Sequence, residues 1–171
     1  VKAPRKGNDG GNFLRGAYVG GVTSILSGSM TGCVNSGDID YSATTAGAPN
    51  TTVACGPTSW CLVGGVVAAA GNSVSTSVRD CHNKVSRMNI DLHMKSGNGT
   101  YGAVGGVCAL SLSSLEDCSN SADITLASYK KNLYFGGVAG YHEYFEARSC
   151  NNSGDLVLSL EEPAGSNQSS A

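Results

Sequence analysis

Four copies of a diglycine followed by valine constrain most strongly what this chain can fold into. The pairs begin at Gly20, Gly64, Gly105 and Gly136, and each precedes a Cys-x-Asn triplet. The triplets comprise Cys33 and Asn35, Cys81 and Asn83, Cys118 and Asn120, and Cys150 and Asn152. Ordered matches of this kind, recurring every few tens of residues, indicate a repeat architecture in which successive units stack on one another.

The intervals between the repeated motifs separate a common unit from insertions. They shorten along the chain, and the last interval indicates a unit of about 31 residues. The longer intervals contain extra segments at 42–60, 71–77 and 95–100, which are rich in small and polar residues. We therefore expect these segments to be loops outside the stacked core.

Each unit has the local pattern of short strands joined by turns. Segments such as 39–41, 88–92, 124–126 and 156–160 alternate apolar with polar residues, which is typical of β-strands. The Asn-Ser-Gly-Asp segment at 35–38 is a turn sequence. The predicted fold is all-β, a β-solenoid of about four rungs in the form of a three-sided parallel β-helix. A β-prism or a blade-like packing of antiparallel repeats is the alternative.

The predicted solenoid spans residues 17–160, between a flexible arm at 1–16 and a polar tail or linker at 161–171. Like residues should stack about 4.8 Å apart in successive rungs. We expect two buried apolar ladders, one of Val22, Val66, Val107 and Val138 and one of Ile39, Ile90, Ile124 and Leu156. The asparagines should hydrogen-bond along the stack and cap the turns, and the diglycines should allow sharp turns or close backbone approach.

The seven cysteines fall into two groups. Stacked in register, the four repeated cysteines would have Cβ atoms about 4.8 Å apart, which is wider than a disulfide prefers. They are therefore predicted to form a reduced, buried ladder of thiols. Cys55 and Cys61 flank a five-residue turn and are the disulfide candidate, although the sequence leaves their oxidation state open.

Composition excludes several classes of protein. The chain has 24 glycines in 171 residues and only 14% charged residues, which argues against a helical bundle or coiled coil. No apolar run approaches the length of a membrane span, so none is expected. The formal net charge of −2 gives no electrostatic basis for nucleic-acid binding. The chain starts with Val1 and shows no secretory segment, and we interpret it as a processed fragment.

The fourth unit resembles a known repeat family. Its Gly-Gly-Val-Ala-Gly at 136–140, followed by Cys-Asn-Asn-Ser-Gly-Asp-Leu at 150–156, is similar to the GLUG-type repeat of bacterial surface proteins. In the other units Ser24, Ala68 and Ala109 replace the last glycine. The resemblance implies an extracellular or cell-surface protein whose repeats are not catalytic, acting as an adhesin or scaffold.

Two patterns raise the possibility of metal binding. The segment 142–146 begins like a zinc-protease helix, but Glu146 stands where the second histidine would be, so we expect no zinc site there. Asp38, Asp123 and Asp155 should lie in one row, which solvent, turn hydrogen bonds or a calcium ion could accommodate. Arg87 or Lys84 would interrupt that row. No cofactor is expected.

The remaining chemistry concerns ligands and catalysis. Exposed aromatic rings stack on sugars, and Trp60, Tyr134, Tyr141 and Tyr144 are the leading candidates for a glycan partner. Tyr101 and Tyr129 could also contribute. A host or cell-surface protein is the other possible partner. Parallel β-helices also include polysaccharide lyases and hydrolases, which need carboxylates converging on a groove. The acidic residues are scattered, so we expect a non-catalytic repeat module and retain a lyase or hydrolase fragment as the alternative.

Overall fold

The computed structural model describes residues 16–42, 60–71, 75–92, 101–129 and 133–161. These residues form twenty strands and no helix, and the strands fall into four rungs of five. The first rung holds β1 (Gly16–Gly20), β2 (Thr23–Leu26), β3 (Ser29–Thr31), β4 (Val34–Asn35) and β5 (Ile39–Ser42). The second holds β6 (Trp60–Gly64), β7 (Val67–Ala70), β8 (Ser77–Arg79), β9 (His82–Asn83) and β10 (Arg87–Leu92).

The third and fourth rungs repeat this order. The third holds β11 (Tyr101–Gly105), β12 (Cys108–Ser111), β13 (Ser114–Glu116), β14 (Ser119–Asn120) and β15 (Asp123–Tyr129). The fourth holds β16 (Leu133–Gly136), β17 (Ala139–His142), β18 (Ala147–Arg148), β19 (Asn151–Asn152) and β20 (Leu156–Glu161). No helix among these residues could cross a membrane.

Equivalent strands of the four rungs pair in parallel and form five four-stranded sheets. We name them sheets A to E, after the first to the fifth strand of each rung. In sheet A, Val19 pairs with Val63, Val63 with Val104, and Val104 with Phe135. The predicted parallel β-helix of four repeats is confirmed, with each rung divided into five short strands. The parallel pairing of all the described strands excludes the antiparallel prism or blade.

The core forms three layers between these sheets. One layer lies between sheets A and E and contains Val63, Val104, Ile124 and Leu126. A second lies between sheets B and C, and a third lies between sheets A and B. Sheets A and B are therefore buried on both faces, which explains the continuous apolar run at 61–70 in place of an alternating pattern.

The third layer holds small side chains where sheets A and B approach closely, alongside Leu62, Leu110 and Leu112. Its members include Ala68, Ala103 and Ala109. Gly140, the last glycine of the GLUG-like motif, lies against the backbone of the facing sheet. A Cβ atom there would come within 2.7 Å of the Val104 carbonyl oxygen and 2.8 Å of that of Ala109. This close approach explains why only glycine, alanine or serine occupies the position in the four units.

One of the two predicted apolar ladders has a different member in the second rung. Ile39 and Ile124 both pair with Met88, and Ile124 pairs with Leu156. Ile90, which we expected in this ladder, pairs instead with Tyr41 and Leu126. The prediction for Ile90 was wrong by two residues. The shift keeps the side chain on the core face, because strand side chains alternate with a period of two.

Candidate functional site

The four repeated asparagines form a continuous hydrogen-bonded ladder along the solenoid. The Asn35 Nδ2 donates to Asn83 Oδ1 over 3.2 Å, and the Asn83 Nδ2 donates to Asn120 Oδ1 over 2.8 Å. The Asn120 Nδ2 donates to Asn152 Oδ1 over 2.7 Å. Asn83 and Asn120 are fully buried. A buried amide is costly unless it is bonded, and each rung satisfies the amide of the next.

The same asparagines hold the turn that follows them. The Asn120 Nδ2 donates to the carbonyl oxygen of Ala122, and the amide nitrogen of Ala122 donates back to Asn120 Oδ1. Asn35 makes the same pair of bonds with Gly37. The Asn152 Nδ2 donates to the Gly154 carbonyl oxygen, whereas the Asn83 Nδ2 donates to Met88 Sδ. Asn35 and Asn120 therefore both cap their own turn and join their rung to the next, which requires one amide group with a donor and an acceptor.

The diglycines provide the space for this ladder. In each pair, a Cβ on the first glycine would overlap the carbonyl oxygen three residues later, as at Gly105 with Cys108. A Cβ on the second would overlap the asparagine side chain of its own rung, as at Gly106 with Asn120. The Gly-Gly and Cys-x-Asn motifs recur together because they meet across the rung.

The repeated cysteines also lie in one row. Cys81 and Cys118 are fully buried, whereas Cys33 and Cys150, in the terminal rungs, are half-buried. All four are free thiols. The Sγ atoms of Cys81, Cys118 and Cys150 each donate to the carbonyl oxygen two residues earlier, over 3.1 to 3.2 Å. The thiols thus pack as small apolar groups whose hydrogen is bonded within the rung.

Contacts between these thiols shift their ionisation. The hydrogen bond with Cys118 lowers the pKa of Cys81, and the same bond, together with burial, raises the pKa of Cys118. Burial raises the pKa of Cys108, the first residue of β12, to about 12.

The residue before each repeated cysteine adopts a left-handed backbone, which sequence reasoning missed. The φ angles are 68° at Gly32, 50° at Asp80, 53° at Asp117 and 51° at Ser149. Glycine tolerates this conformation best and Asp tolerates it better than most residues. The series of Gly, Asp, Asp and Ser at one repeat position was the signal that could have revealed the corner.

The predicted disulfide lies partly outside the described residues. Cys55 is not among them, so no pairing is described. Cys61 is fully buried, and its Sγ lies 3.7 Å from the Tyr41 hydroxyl.

The predicted aspartate row includes a basic residue. Asp38, Asp123 and Asp155 occupy the same turn, but Arg87 pairs with Asp123 and takes the second place. The Arg87 Nε lies 4.0 Å from Asp38 Oδ2, and the backbone nitrogens of Ser86 and Arg87 donate to Asp38 Oδ1. In the last two rungs, the Asp155 backbone nitrogen donates to Asp123 Oδ1 over 2.9 Å. The described residues contain no group of three or more metal ligands.

Four aromatic rings meet at the margin of the layer between sheets A and B, two to four residues from the diglycine turns. Trp60 stacks on Tyr101 with ring centroids 4.9 Å apart, and Tyr134 meets Tyr141 edge-on at 4.9 Å. Trp60 is also 6.3 Å from Tyr134 and 6.4 Å from Tyr141. All four are half-buried. Three of the four predicted ligand aromatics thus come together, and Tyr101 joins them through strand register.

The fourth predicted aromatic, Tyr144, lies in the loop after β17 and is 75% exposed. Glu143 connects it to the cluster. The Tyr141 hydroxyl donates to Glu143 Oε2 over 2.6 Å, and this bond raises the pKa of Tyr141 to about 12. Glu143 also raises the pKa of Tyr144. The zinc-like segment 142–146 is the same loop, without a helix, and the His142 Nε2 donates to the carbonyl oxygen of Phe145.

Sequence reasoning missed a second arrangement, although His82 and Ser119 each follow a repeated cysteine and pair in register. The His82 Nδ1 lies 2.7 Å from Ser119 Oγ, and its Nε2 lies 2.9 Å from Asp80 Oδ1. The order of hydroxyl, imidazole and carboxylate matches that which activates serine nucleophiles. Here the Asp80 side chain is 61% exposed. Water competes for such a carboxylate, so the arrangement serves first to join two rungs across sheet D.

No protein family, no curated protein and no solved structure matches the chain.

Proposed function

We propose that the chain is a non-catalytic scaffold module of a bacterial surface or secreted protein. The observation that carries the proposal is the asparagine ladder. Its amides, like the ion pairs of Arg79 with Glu116 and of Arg87 with Asp38, connect one rung to the next. Polar groups committed to inter-rung contacts favour a stiff spacer, and the resemblance to GLUG-type repeats supports a place at the cell surface.

A rigid spacer holds its two ends at a fixed distance, and single-molecule energy transfer measures that directly. The chain is placed between two small folded reporter domains, each labelled with one dye. We expect a narrow distribution of transfer efficiency that collapses only when denaturant unfolds the solenoid. A flexible Gly/Ser linker of equal length is the control and should give a broad distribution. A broad distribution for the native chain would contradict the scaffold proposal.

The aromatic cluster favours glycan binding as a second candidate function. Trp60, Tyr101, Tyr134 and Tyr141 present half-exposed rings beside the Glu143 carboxylate, and both kinds of group suit a sugar. A glycan array with the full chain tests it. Binding should be saturable, weakened by Tyr101→Ala and unaffected by the control Thr125→Ala, at an exposed position of sheet E. Retained binding by the Tyr101→Ala variant, or no binding by the native chain, would dismiss this candidate.

A lyase or hydrolase fragment remains the alternative, and Ser119 allows one specific test. A serine nucleophile would hydrolyse a chromogenic ester and react with a fluorophosphonate probe. We expect neither with the native chain, since the Asp80 carboxylate that would orient His82 is largely exposed. Hydrolysis or labelling that Ser119→Ala abolishes would overturn the non-catalytic assignment.

A further inference from the structure

Among the residues that the structure describes, the two ends of the solenoid expose core positions and sheet edges with no further paired strand. All five sheets end on the first rung at one side and on the fourth rung at the other. Val22 in the first rung is 44% exposed, and Leu156 and Leu158 in the fourth rung are each 43% exposed. The equivalent residues of the inner rungs are buried. Such edges are templates for another strand.

The asparagine ladder gives the two ends opposite hydrogen-bonding character. Every inter-rung bond runs in one direction, with Nδ2 of the earlier rung donating to Oδ1 of the next. At the fourth rung the ladder therefore ends on the Asn152 Nδ2 group, a donor. At the first rung the ladder begins with the Asn35 Oδ1 atom. In each of the three later rungs, the equivalent oxygen accepts a bond from the asparagine of the preceding rung.

The aspartate turn also has one fixed direction, opposite to that of the ladder, because the later rung donates to the earlier one. The Asp155 backbone nitrogen donates to the Asp123 carboxylate of the rung before it, over 2.9 Å. The Asp38 carboxylate likewise accepts from the backbone of the second rung. At the fourth-rung end, the Asp155 carboxylate occupies the position that accepts a bond from the backbone of a following rung. At the first-rung end, the backbone nitrogen of Asp38 occupies the position that donates to the carboxylate of a preceding rung.

From these complementary ends we propose that copies of this chain associate head to tail, the fourth rung of one copy seated on the first rung of the next. In this arrangement the Asn152 Nδ2 donates to the next copy's Asn35 Oδ1, and the Asp38 nitrogen of that copy donates to the Asp155 carboxylate. The sheets continue in parallel, and the exposed apolar positions are covered.

The alternative pairing of two like ends is disfavoured by the same groups. Two fourth-rung ends would place donor against donor in the ladder, and their strands would not continue in parallel. In the head-to-tail arrangement, Asp155 approaches Asp38, which is the one unfavourable contact. Arg87, whose Nε lies 4.0 Å from Asp38 Oδ2, offsets that repulsion from within the same copy. An interface between different surfaces does not close on itself, so assembly can proceed beyond a dimer.

Sedimentation velocity of the full native chain over a wide concentration range is the first test. We expect the average mass to rise with concentration past that of a dimer. A chain that stays monomeric throughout, for instance because its own termini cover an end, overturns the proposal. A dimer that does not grow further indicates a closed interface and overturns it as well.

Variants that block one end at a time provide the sharper test. Val22→Lys places a charge on the first-rung end and Leu158→Lys places one on the fourth-rung end, at positions whose exposure comes from the open end. Each variant alone should associate at least about tenfold more weakly than the native chain. An equal mixture should form a dimer and nothing larger, because each variant retains the end that the other lacks.

Controls separate the interface from general effects of charge. Thr125→Lys adds the same charge on an exposed position of an inner rung, and it should associate like the native chain. Asn152→Asp replaces the terminal Nδ2 donor by a carboxylate oxygen and also removes its bond to the Gly154 carbonyl oxygen, in an exposed terminal turn. It should weaken association with little effect on folding, so it tests the ladder even where a lysine variant fails to fold. Self-association of Asn152→Asp at native strength, or no dimer in the mixture of the two folded lysine variants, would refute the head-to-tail interface.

Discussion

The two inner rungs and the two terminal rungs carry the same motif but differ in their access to solvent. Val66 and Val107 are fully buried, whereas Val22 at the same position of the first rung is 44% exposed. The motif therefore determines where a residue lies in the cross-section, and the neighbouring rungs determine whether it is buried. In such a quasi-one-dimensional fold, stability is approximately a sum of rungs and of interfaces between them. Equivalent substitutions in inner and terminal rungs should measure the interface contribution.

The largest difference is expected for a pair of leucines. Leu126 is fully buried in the third rung and pairs with Leu158, which is 43% exposed in the fourth. Leu126→Ala should lower the free energy of unfolding by about 4 kcal/mol, because the cavity is closed on all sides. Leu158→Ala should lower it by about 1 kcal/mol. Urea denaturation measures both, and equal effects would contradict the distinction between inner and terminal rungs.

The diglycines should show the next largest difference. A Cβ on Gly106 would overlap the backbone carbonyl of Gly137 as well as Asn120. At Gly137 a Cβ would overlap only the side chain of Asn152, which lies at the open end. Gly106→Ala should therefore cost about 3 kcal/mol, and Gly137→Ala about 1 kcal/mol. Thermal and urea unfolding of the two variants measures this, and a costlier Gly137→Ala would show that the terminal asparagine is held rigidly.

The asparagine ladder should be sensitive in its middle and tolerant at its end. Asn120→Ala leaves the Asn83 amide donor and the Asn152 acceptor without their partner, and the Asn83 donor is fully buried. We expect a loss of about 2 kcal/mol in the free energy of unfolding. Asn152→Ala, at the exposed end, should cost about 0.5 kcal/mol. Denaturation of both variants alongside the native chain gives the comparison, which fails if the two losses are alike.

The thiol of Cys108 should make the inner rungs sensitive to alkali. Its pKa is raised to about 12 by burial, so the folded chain retains a proton that the unfolded chain releases above about pH 8.5. The protonated thiol contributes fully to the free energy of unfolding below that pH. Above it, the free energy of unfolding should fall by about 1.4 kcal/mol per pH unit towards pH 12. Cys108→Ala copies the residue that pairs with it in the fourth rung, Ala139. Between pH 8 and pH 10, the free energy of unfolding should fall less in that variant than in the native chain, which urea denaturation at the two pH values measures.

The smallest effect is expected at the left-handed corner. Asp117 has a φ of 53° in an inner rung, and Gly32 occupies the same corner in the first rung with a φ of 68°. Asp117→Gly should raise the free energy of unfolding by about 0.5 kcal/mol, since relief of backbone strain is partly offset by the freedom of glycine in the unfolded chain. Gly32→Ala should lower it by about 1 kcal/mol. In one urea denaturation assay, the two variants should change the free energy of unfolding in opposite directions.

The repeat, its strands and their parallel stacking could be predicted from the sequence because the motifs mark equivalent positions of successive rungs. The exact register of the second rung could not. Met88 and Ile90 are both apolar and two residues apart, so alternation places either of them on the core face. Only pairing with Ile39 and Ile124 distinguishes them.

The candidate sites were less accessible to sequence reasoning than the fold. Tyr101 stacks on Trp60 and Ser119 reaches His82 between equivalent positions of successive rungs, so the repeat could have placed each pair in register. The repeat could not show that these side chains stack or hydrogen-bond, because the residue types at the two positions differ between the rungs. The asparagine ladder could be foreseen because it coincides with the repeat itself. The repeated corner before each cysteine was equally available, but Asp, Ser and Gly there resemble ordinary loop composition.

The uniform direction of the asparagine ladder has an electrical consequence. Four side-chain amides aligned head to tail along the axis sum their dipoles, and each bond polarises the next. The solenoid thus carries a side-chain macrodipole, with its positive pole at the Asn152 end and its negative pole at Asn35. The negative charge of Asp155 lies three residues beyond that positive pole, in the favourable orientation. Rungs added to such a column would reinforce the dipole, as residues added to an α-helix do.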